Sequence, residues 1–235
     1  MKNISSRANK IVLMTAFSML AVSAPFHTTY AALGGAIEPA VATGITILPL
    51  DQHPVPDVLK DQARLEFTQM KSKGYVDATE DSVSYLDRKK ENKDKKLKPM
   101  TEVAPKLKVN PANLGSSPLG QAVLLGATVS GGLPIEGEGW TGLDRIFVVP
   151  KFGLVGLNEI DYIASQGGMA FIKEAINQDV NGFPAILSVK QSRSNKGLTE
   201  LTWATDQKIY TLSTNRALKN QKSIDEFLAL ARSIF

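Results

Sequence analysis

LTELTWATDQKIYTLST, residues 198–214, contains two short runs in which apolar and polar side chains alternate. Leu201 and Trp203 fall on the same side of the first run, and this period of two predicts a β-strand with one buried face. Asp206 and Gln207 separate the two runs, and a connection this short joins antiparallel neighbours. The stretch therefore predicts a β-hairpin.

Strand signals precede this hairpin and a helix signal follows it. LDRIFVVP (143–150), GLVGLNEIDYI (153–163) and PAILSVKQS (184–192) are rich in β-branched and apolar residues, which favours strands. SIDEFLALARSIF (223–235) repeats apolar residues at helical spacing, and Ser223 with Glu226 matches a capping box. MAFIKEAIN (169–177) fits a helix or a strand, and its good helix formers favour a helix. We therefore predict that residues 134–235 form an α+β domain, an antiparallel sheet packed by a C-terminal amphipathic helix.

The N-terminal residues 1–31 have the features of a signal peptide. The basic residues of its n-region are Lys2, Arg7 and Lys10. Residues 11–24 form an apolar run, and small residues at Thr29 and Ala31 suit cleavage after Ala31. The alternative is an uncleaved membrane anchor, but the run is short beside the roughly 20 residues that a spanning helix needs. Cleavage predicts a periplasmic or secreted protein with no transmembrane segment.

Composition narrows the possible functions. The chain contains no cysteine, which excludes disulfides, a lipid-modified cysteine and a cysteine nucleophile. Loss of the three basic residues of the signal peptide lowers the formal net charge from +4 to +1. The basic isoelectric point is therefore weak support for a nucleic-acid partner, and none is predicted.

Residues 32–98 predict a flexible lead-in followed by a helical region. Apolar residues share one face of a helix that begins near Pro56 and stops near Gly74: Leu59, Ala63, Phe67 and Met70. Residues 87–98 are mostly charged and are interpreted as a solvated helix end or linker, with a basic arm as the alternative. Residues 99–133 predict a Pro/Gly-rich linker. Its apolar segment 120–132 is open to three readings: a helix, a strand, or a surface that docks on a partner.

GEGWTG, residues 137–142, matches the glycine spacing of a dinucleotide-binding loop. That fingerprint needs a helix after the glycines, because the pyrophosphate binds the free N–H groups of the helix N-terminus. The following residues are instead β-rich and end at Pro150. We therefore expect a turn before a strand, with Trp140 packed on the sheet, and no cofactor.

Few catalytic arrangements remain after signal-peptide cleavage. His53 is then the one histidine, and no nucleophile-elbow, zinc-protease or phosphate-loop motif is present. No metal site is predicted. Glu136 and Glu138, close to Trp140, are the best candidates for a catalytic carboxylate pair acting on glycans. The alternative for these two glutamates is a solvated loop.

Three C-terminal segments together resemble a small domain of exported bacterial proteins: VNGFPAILSV (180–189), ELTWATDQKIYTLST (200–214) and IDEFLALARSI (224–234). The shared features are Gly182 in a turn, Trp203 in one strand, Tyr210 and Leu212 in the next, and a closing helix. The proteins with this domain are membrane-anchored or exported, and several of them are related to outer-membrane lipoprotein carriers and to sporulation or anti-sigma regulators. The resemblance implies an antiparallel sheet with a helix and a binding role, and it supplies no active-site residues.

Two functional hypotheses follow. The leading one is an exported, non-enzymatic cell-envelope protein that binds a partner protein or an apolar ligand, with Trp140, Trp203 and Tyr210 or segment 120–132 as the binding surface. Trp203 and Tyr210 are interpreted first as core or cross-strand packing residues, and contact with a ligand is their alternative role. The second hypothesis is a carboxylate-dependent hydrolase of cell-wall or other glycans that uses Glu136 and Glu138. A structural subunit of an envelope assembly is a third reading, and the oligomeric state is not predicted.

Overall fold

The computed structural model describes residues 44–91, 97–132, 139–165 and 167–234. The predicted signal peptide, part of the charged run 87–98, and both Glu136 and Glu138 lie outside the described residues. The strands within the described ranges are β1 (Gly44–Leu48), β2 (Val76–Asp77), β3 (Val123–Ser130), β4 (Gly142–Val149), β5 (Gly153–Asp161), β6 (Gly168–Ile172), β7 (Gln178–Val180), β8 (Phe183–Gln191), β9 (Gly197–Ala204) and β10 (Lys208–Thr214). The α-helices are α1 (Asp57–Lys73), α2 (Glu80–Val83), α3 (Tyr85–Glu91), α4 (Met100–Val103) and α5 (Gln221–Arg232).

One large sheet organises the molecule. Its strand order is β2-β8-β9-β10-β5-β4-β3, and β7 also pairs with β8. All neighbours are antiparallel except β2, which runs parallel to β8. The predicted hairpin is confirmed as β9 and β10, where the Thr205 N–H donates to the Lys208 carbonyl at 2.8 Å across the turn. Helices and a multi-stranded sheet together confirm the α+β class.

Helix α5 packs against one face of this sheet. Its apolar residues Phe227, Leu228, Leu230 and Ala231 belong to the largest buried cluster. The strand residues of that cluster are Phe147, Val155, Leu157, Val180, Ala185, Leu187, Leu201, Trp203, Tyr210 and Leu212. Alternate residues of a strand point to opposite faces of a sheet. The residues of β4, β5 and β8–β10 that share this cluster with α5 are therefore the ones whose side chains point toward the helix.

Two separate apolar clusters cover the opposite face. Near one end of the strands, Val83 and Leu86 of α2 and α3 pack with Leu154 and Leu198. Near the other end, the parallel pair of β1 and β6 packs over Ala204 and Ile209. Helix α1 lies beside β6, where Ala63 packs against Leu50, Ile172 and Ala175. The molecule is therefore layered on both sides of the central sheet.

The helix expected over MAFIKEAIN is wrong. Gly168–Ile172 forms strand β6, and a single 3₁₀ turn, Lys173–Ala175, follows it. Met169 and Phe171, two residues apart, are both buried in the cluster under β1. Pairing with Gly44–Leu48 outweighs the helix propensity of this segment, because burial on a sheet requires a period of two.

Segments N-terminal to residue 134 contribute to the same sheet. Strand β3, from the apolar segment 120–132, pairs with β4, so the expected boundary at 133/134 falls between two neighbouring strands. The predicted helix before Gly74 is present as α1, and Gly74 ends it in the left-handed conformation with φ 75°. That conformation suits a glycine, which has no Cβ to clash with the backbone.

Helix α5 begins earlier than its capping-box pattern predicts. Asn220 is the N-cap, and its side-chain oxygen accepts a hydrogen bond from the Ser223 N–H at 2.8 Å. Ser223 is therefore the third helical residue, and its hydroxyl donates to the Asn220 carbonyl. The capping box of Ser223 and Glu226 is wrong. Asparagine is as favourable as serine at an N-cap, which is why the helix can start at Asn220.

Candidate functional site

Trp203 and Tyr210 lie in the core beneath α5. They are directly opposed on β9 and β10, and their rings stack with centroids 5.2 Å apart. Trp203 is 0% exposed, and Tyr210 is buried as well. Neither ring therefore presents an open surface to a ligand in this structure. The geometry shows the packing role that the sequence analysis favoured for both residues.

A buried charge cluster adjoins Tyr210. Glu159 is directly opposite Tyr210 on β5, and its Oε1 accepts from Arg145 Nη2 at 2.6 Å. Lys208 Nζ lies 3.5 Å from Glu159 Oε2. Burial, followed by the negative charge of Glu159, raises the pKa of Tyr210 to about 12. Burial also lowers the pKa of Arg145, although the Glu159 carboxylate opposes this change.

This cluster fastens the segment 110–112 to the sheet. Glu159 Oε2 accepts a hydrogen bond from the Ala112 N–H at 2.8 Å. Arg145 donates to the Ala112 carbonyl at 3.3 Å, and Lys208 donates to the Asn110 carbonyl. A carboxylate whose two oxygens are both occupied by protein donors is satisfied as a structural group. The cluster therefore holds the segment 110–112 against the sheet. The sequence analysis did not predict it, because its three charged residues lie on three different strands.

The GEGWTG loop leads directly into a strand. Gly142 is the first residue of β4, so the helix that a dinucleotide-binding loop requires is replaced by a strand. Trp140 is half-buried, and its backbone pairs with the segment 106–108 through two hydrogen bonds. The Trp140 N–H donates to the Lys106 carbonyl at 2.7 Å. Trp140 is therefore held by backbone pairing, whereas Glu136 and Glu138 lie outside the described residues.

His53 is a structural residue in this fold. It is buried, and its Nε2 lies 3.2 Å from the Phe171 carbonyl oxygen, to which it can only donate.

Within the described ranges, no group of three or more His, Cys, Asp or Glu side chains is placed to hold a metal ion. In the same part of the chain, no helix combines the length and apolar character needed to cross a bilayer.

The most exposed apolar surface of the sheet is at the β3 edge. Val123 is 65% exposed, and Leu124, Leu125 and Val148 are each more than a third exposed. Val123 is directly opposite Val148 on β4, so these side chains are neighbours. Farther along β3, Lys98 forms two backbone hydrogen bonds with Ala127 and covers that part of the edge. We call Val123, Leu124, Leu125 and Val148 the β3 edge patch.

Among the sequence-predicted binding surfaces, the β3 edge patch is the one whose side chains are more than a third exposed in the described residues. It coincides with the segment 120–132, for which a docking surface was one of three readings. Consecutive exposed apolar residues on an edge strand are unusual, because such edges invite pairing with another chain.

The chain matches none of the known protein families, curated proteins or solved structures with which it was compared.

Proposed function

We propose that this chain is an exported, non-enzymatic protein of the cell envelope that binds a partner protein at the β3 edge patch. The observation that carries this proposal is the run of exposed apolar residues Val123, Leu124 and Leu125 on an edge strand. An edge strand can accept an extended segment through backbone hydrogen bonds, with apolar side chains adding specificity. The proposed partner therefore presents an extended apolar segment that lies beside β3.

A protein partner is better supported than an apolar small ligand. The apolar side chains beneath α5 are packed against one another, with Phe152 against Phe227 in an edge-to-face contact at 5.4 Å. Filled cores leave no room for a ligand without rearrangement. The resemblance of the C-terminal segments to exported bacterial proteins also implies a binding role, and it supports the same proposal.

Export is the first part of the proposal to test. It rests on the basic n-region, the apolar run 11–24 and the small residues at Thr29 and Ala31. Intact mass spectrometry of the protein purified from the envelope of its own cells should give a chain that begins at Ala32. A chain that retains Met1 and stays with the membrane would show that the segment is an anchor.

Site-specific photo-crosslinking tests the edge. A photo-reactive amino acid at position 123 should give one discrete adduct in the envelope, and the same residue at position 58 should not. Val58 is the matched control, because it is an equally exposed valine on helix α1. In the background of Leu125→Lys the adduct should disappear while the melting temperature stays the same. An adduct that is unchanged by Leu125→Lys, or the same adduct from position 58, contradicts the proposal.

The hydrolase alternative is separated by a second variant. Replacing Glu136 and Glu138 together by glutamine removes both carboxylates with almost no change in side-chain size. A binding protein should keep its adduct and its function in the cell. Loss of function with the adduct retained would favour the carboxylate-dependent reaction.

A further inference from the structure

Three connections at one end of the central sheet are basic. They are residues 150–152, 192–196 and 215–220, which follow β4, β8 and β10. Together they contain five basic residues and no acidic residue: Lys151, Arg193, Lys196, Arg216 and Lys219. The strand connections at the opposite end contain no lysine or arginine: residues 131–141, 162–167 and 205–207. Positive charge is therefore concentrated in the connections at one end of the strands.

These three connections lie side by side. Arg216 Nη1 donates to the Lys151 carbonyl at 2.8 Å, which joins the connection after β10 to the one after β4. Lys219 Nζ donates to Gln191 Oε1 at the end of β8, and Gln191 donates in turn to Asn195 at 3.1 Å. We give the name basic end to the five basic residues of these connections together with Lys222, in the first turn of α5.

All six residues of the basic end are exposed, so a partner can reach them without a rearrangement of the fold. Lys151 pairs with Glu226, and Lys196 lies 4.0 Å from Glu80. The other four have no carboxylate within ion-pair distance in the described part of the chain: Arg193, Arg216, Lys219 and Lys222. Like charges that are grouped without counter-charges repel one another, and an anionic partner relieves this repulsion.

Two further carboxylates at this end of the sheet bond to neutral side chains. Asp87 accepts from Asn215 at 3.0 Å, and Asp225 accepts from Gln221 at 2.7 Å. With Glu80 and Glu226 they make four carboxylates beside the six cations of the basic end. Positive charge therefore remains in excess at this end.

The start of helix α5 adds to this excess. A helix N-terminus carries partial positive charge, so acidic residues stabilise it and basic residues destabilise it. Lys219 precedes the N-cap Asn220, and the first turn contains Lys222 and no acidic residue. Residues that cost the fold stability are expected where a function requires them.

We propose that the basic end binds the surface of a membrane that contains anionic lipids. Basic side chains are attracted to such a surface, and in 0.1 M salt the attraction falls off over about 10 Å. Adjacent connections at one end of a sheet can approach a flat surface together. Lys219 Nζ also lies 4.4 Å from the centroid of the half-buried Tyr75 ring, and tyrosine is enriched at membrane interfaces.

The choice of a lipid surface rests on the proposed export, because an exported protein meets membranes rather than nucleic acids. The basic end shares no residue with the β3 edge patch. Export is measured by the intact mass, and the partner site is measured by crosslinking from position 123. Failure of either proposal is therefore distinguishable from failure of membrane binding.

Co-sedimentation of the chain lacking residues 1–31 with lipid vesicles tests the basic end. One vesicle type contains phosphatidylcholine with about 30% phosphatidylglycerol, and the other contains phosphatidylcholine alone. The chain should sediment with the anionic vesicles in about 0.05 M salt and should be released in about 0.5 M salt. It should not sediment with the neutral vesicles.

A double variant, Lys219→Gln with Lys222→Gln, should weaken binding to the anionic vesicles about tenfold or more. The two substitutions remove positive charge beside a helix N-terminus, so they should not lower the melting temperature. Lys106→Gln with Lys173→Gln is the matched control, because it removes the same charge from two exposed lysines outside the basic end. The control should bind like the unaltered chain.

Three results would overturn the proposal. The first is the absence of sedimentation with the anionic vesicles at the lower salt concentration. The second is equal weakening by the two double variants, because net charge alone would then explain the binding. The third is a preference for a DNA duplex over the anionic vesicles, measured by competition.

Discussion

The indole of Trp203 stacks on the ring of Tyr210 with an angle of only 13° between the ring planes. The two residues are directly opposed on β9 and β10, and Tyr210 is opposed in turn to Glu159 on β5. One row across the sheet thus passes from an aromatic pair to a buried carboxylate. Aromatic cross-strand pairs stabilise sheets, and this pair joins the predicted hairpin to the helix packed above it.

Replacing Trp203 by alanine should lower the free energy of unfolding by about 3–5 kcal/mol, because it removes the largest fully buried side chain. Trp140→Ala is the matched control. Trp140 is only half-buried and is held by its backbone, so its loss should cost clearly less. Urea unfolding followed by circular dichroism measures both. Equal losses for the two variants would show that the Trp203 ring is not a core element.

Arg145→Met should destabilise the protein by about 3–5 kcal/mol, because it leaves the Glu159 carboxylate buried without its closest partner. The segment 110–112 should also loosen, since Arg145 and Glu159 both bond to Ala112. Hydrogen exchange at the Ala112 amide measures this local effect. Arg88→Met, which breaks an exposed pair with Asp81, is the control and should leave that amide protected.

The hairpin of β9 and β10 could be predicted because its signal is local. One short stretch of sequence contains the whole signal. It consists of the apolar–polar alternation up to Trp203, the two-residue connection and the alternation through Tyr210. The amphipathic helix that follows is equally local. The N-cap was predicted wrongly as Ser223 and is Asn220, since both side chains can accept the same kind of hydrogen bond.

Features that depend on distant pairing were missed. Met169 and Phe171 are strand residues because β1, far away in sequence, pairs beside them. The polar row across β9, β10, β5 and β4 on the sheet face opposite α5 has the same origin. Thr202, Thr211 and Asn158 each look like ordinary outward-facing residues, and only the register of three strands places them in one row. The polar half of each alternating strand was visible in the sequence, but the order of the strands was not.

Glu66→Gln should stabilise the protein at neutral pH and have little effect in acid. Burial raises the pKa of Glu66 above its ordinary value of 4.5, although Gln62 and Lys190 oppose the shift. As the pH rises past that ordinary value, the unfolded chain loses this proton before the folded chain does, so ionisation favours unfolding. The loss of stability that comes from burying the ionised Glu66 carboxylate is complete above the raised pKa and absent well below pH 4.5. Glutamine carries no charge and avoids it.

Melting temperatures of the Glu66→Gln variant and the unaltered protein, recorded across this pH range, check the prediction. The two curves should meet at the acidic end and separate as the pH rises. Glu102→Gln is the control, because Glu102 is exposed beside Lys98 and its substitution should not produce this separation. A Glu66→Gln variant that is less stable at neutral pH would mean that the ionised carboxylate has a favourable partner.

Asn220→Ala should lower the free energy of unfolding by about 1 kcal/mol, because it removes the side-chain acceptor for the Ser223 N–H at the start of α5. Glu226→Gln distinguishes this cap from the capping box that the sequence suggests. In the structure Glu226 pairs with Lys151 and does not reach back to the N-cap, so its substitution should cost less than Asn220→Ala. Urea unfolding of the two single variants decides between the caps. A larger loss for Glu226→Gln would favour the box centred on Ser223, whereas the structure requires that the larger loss belong to Asn220.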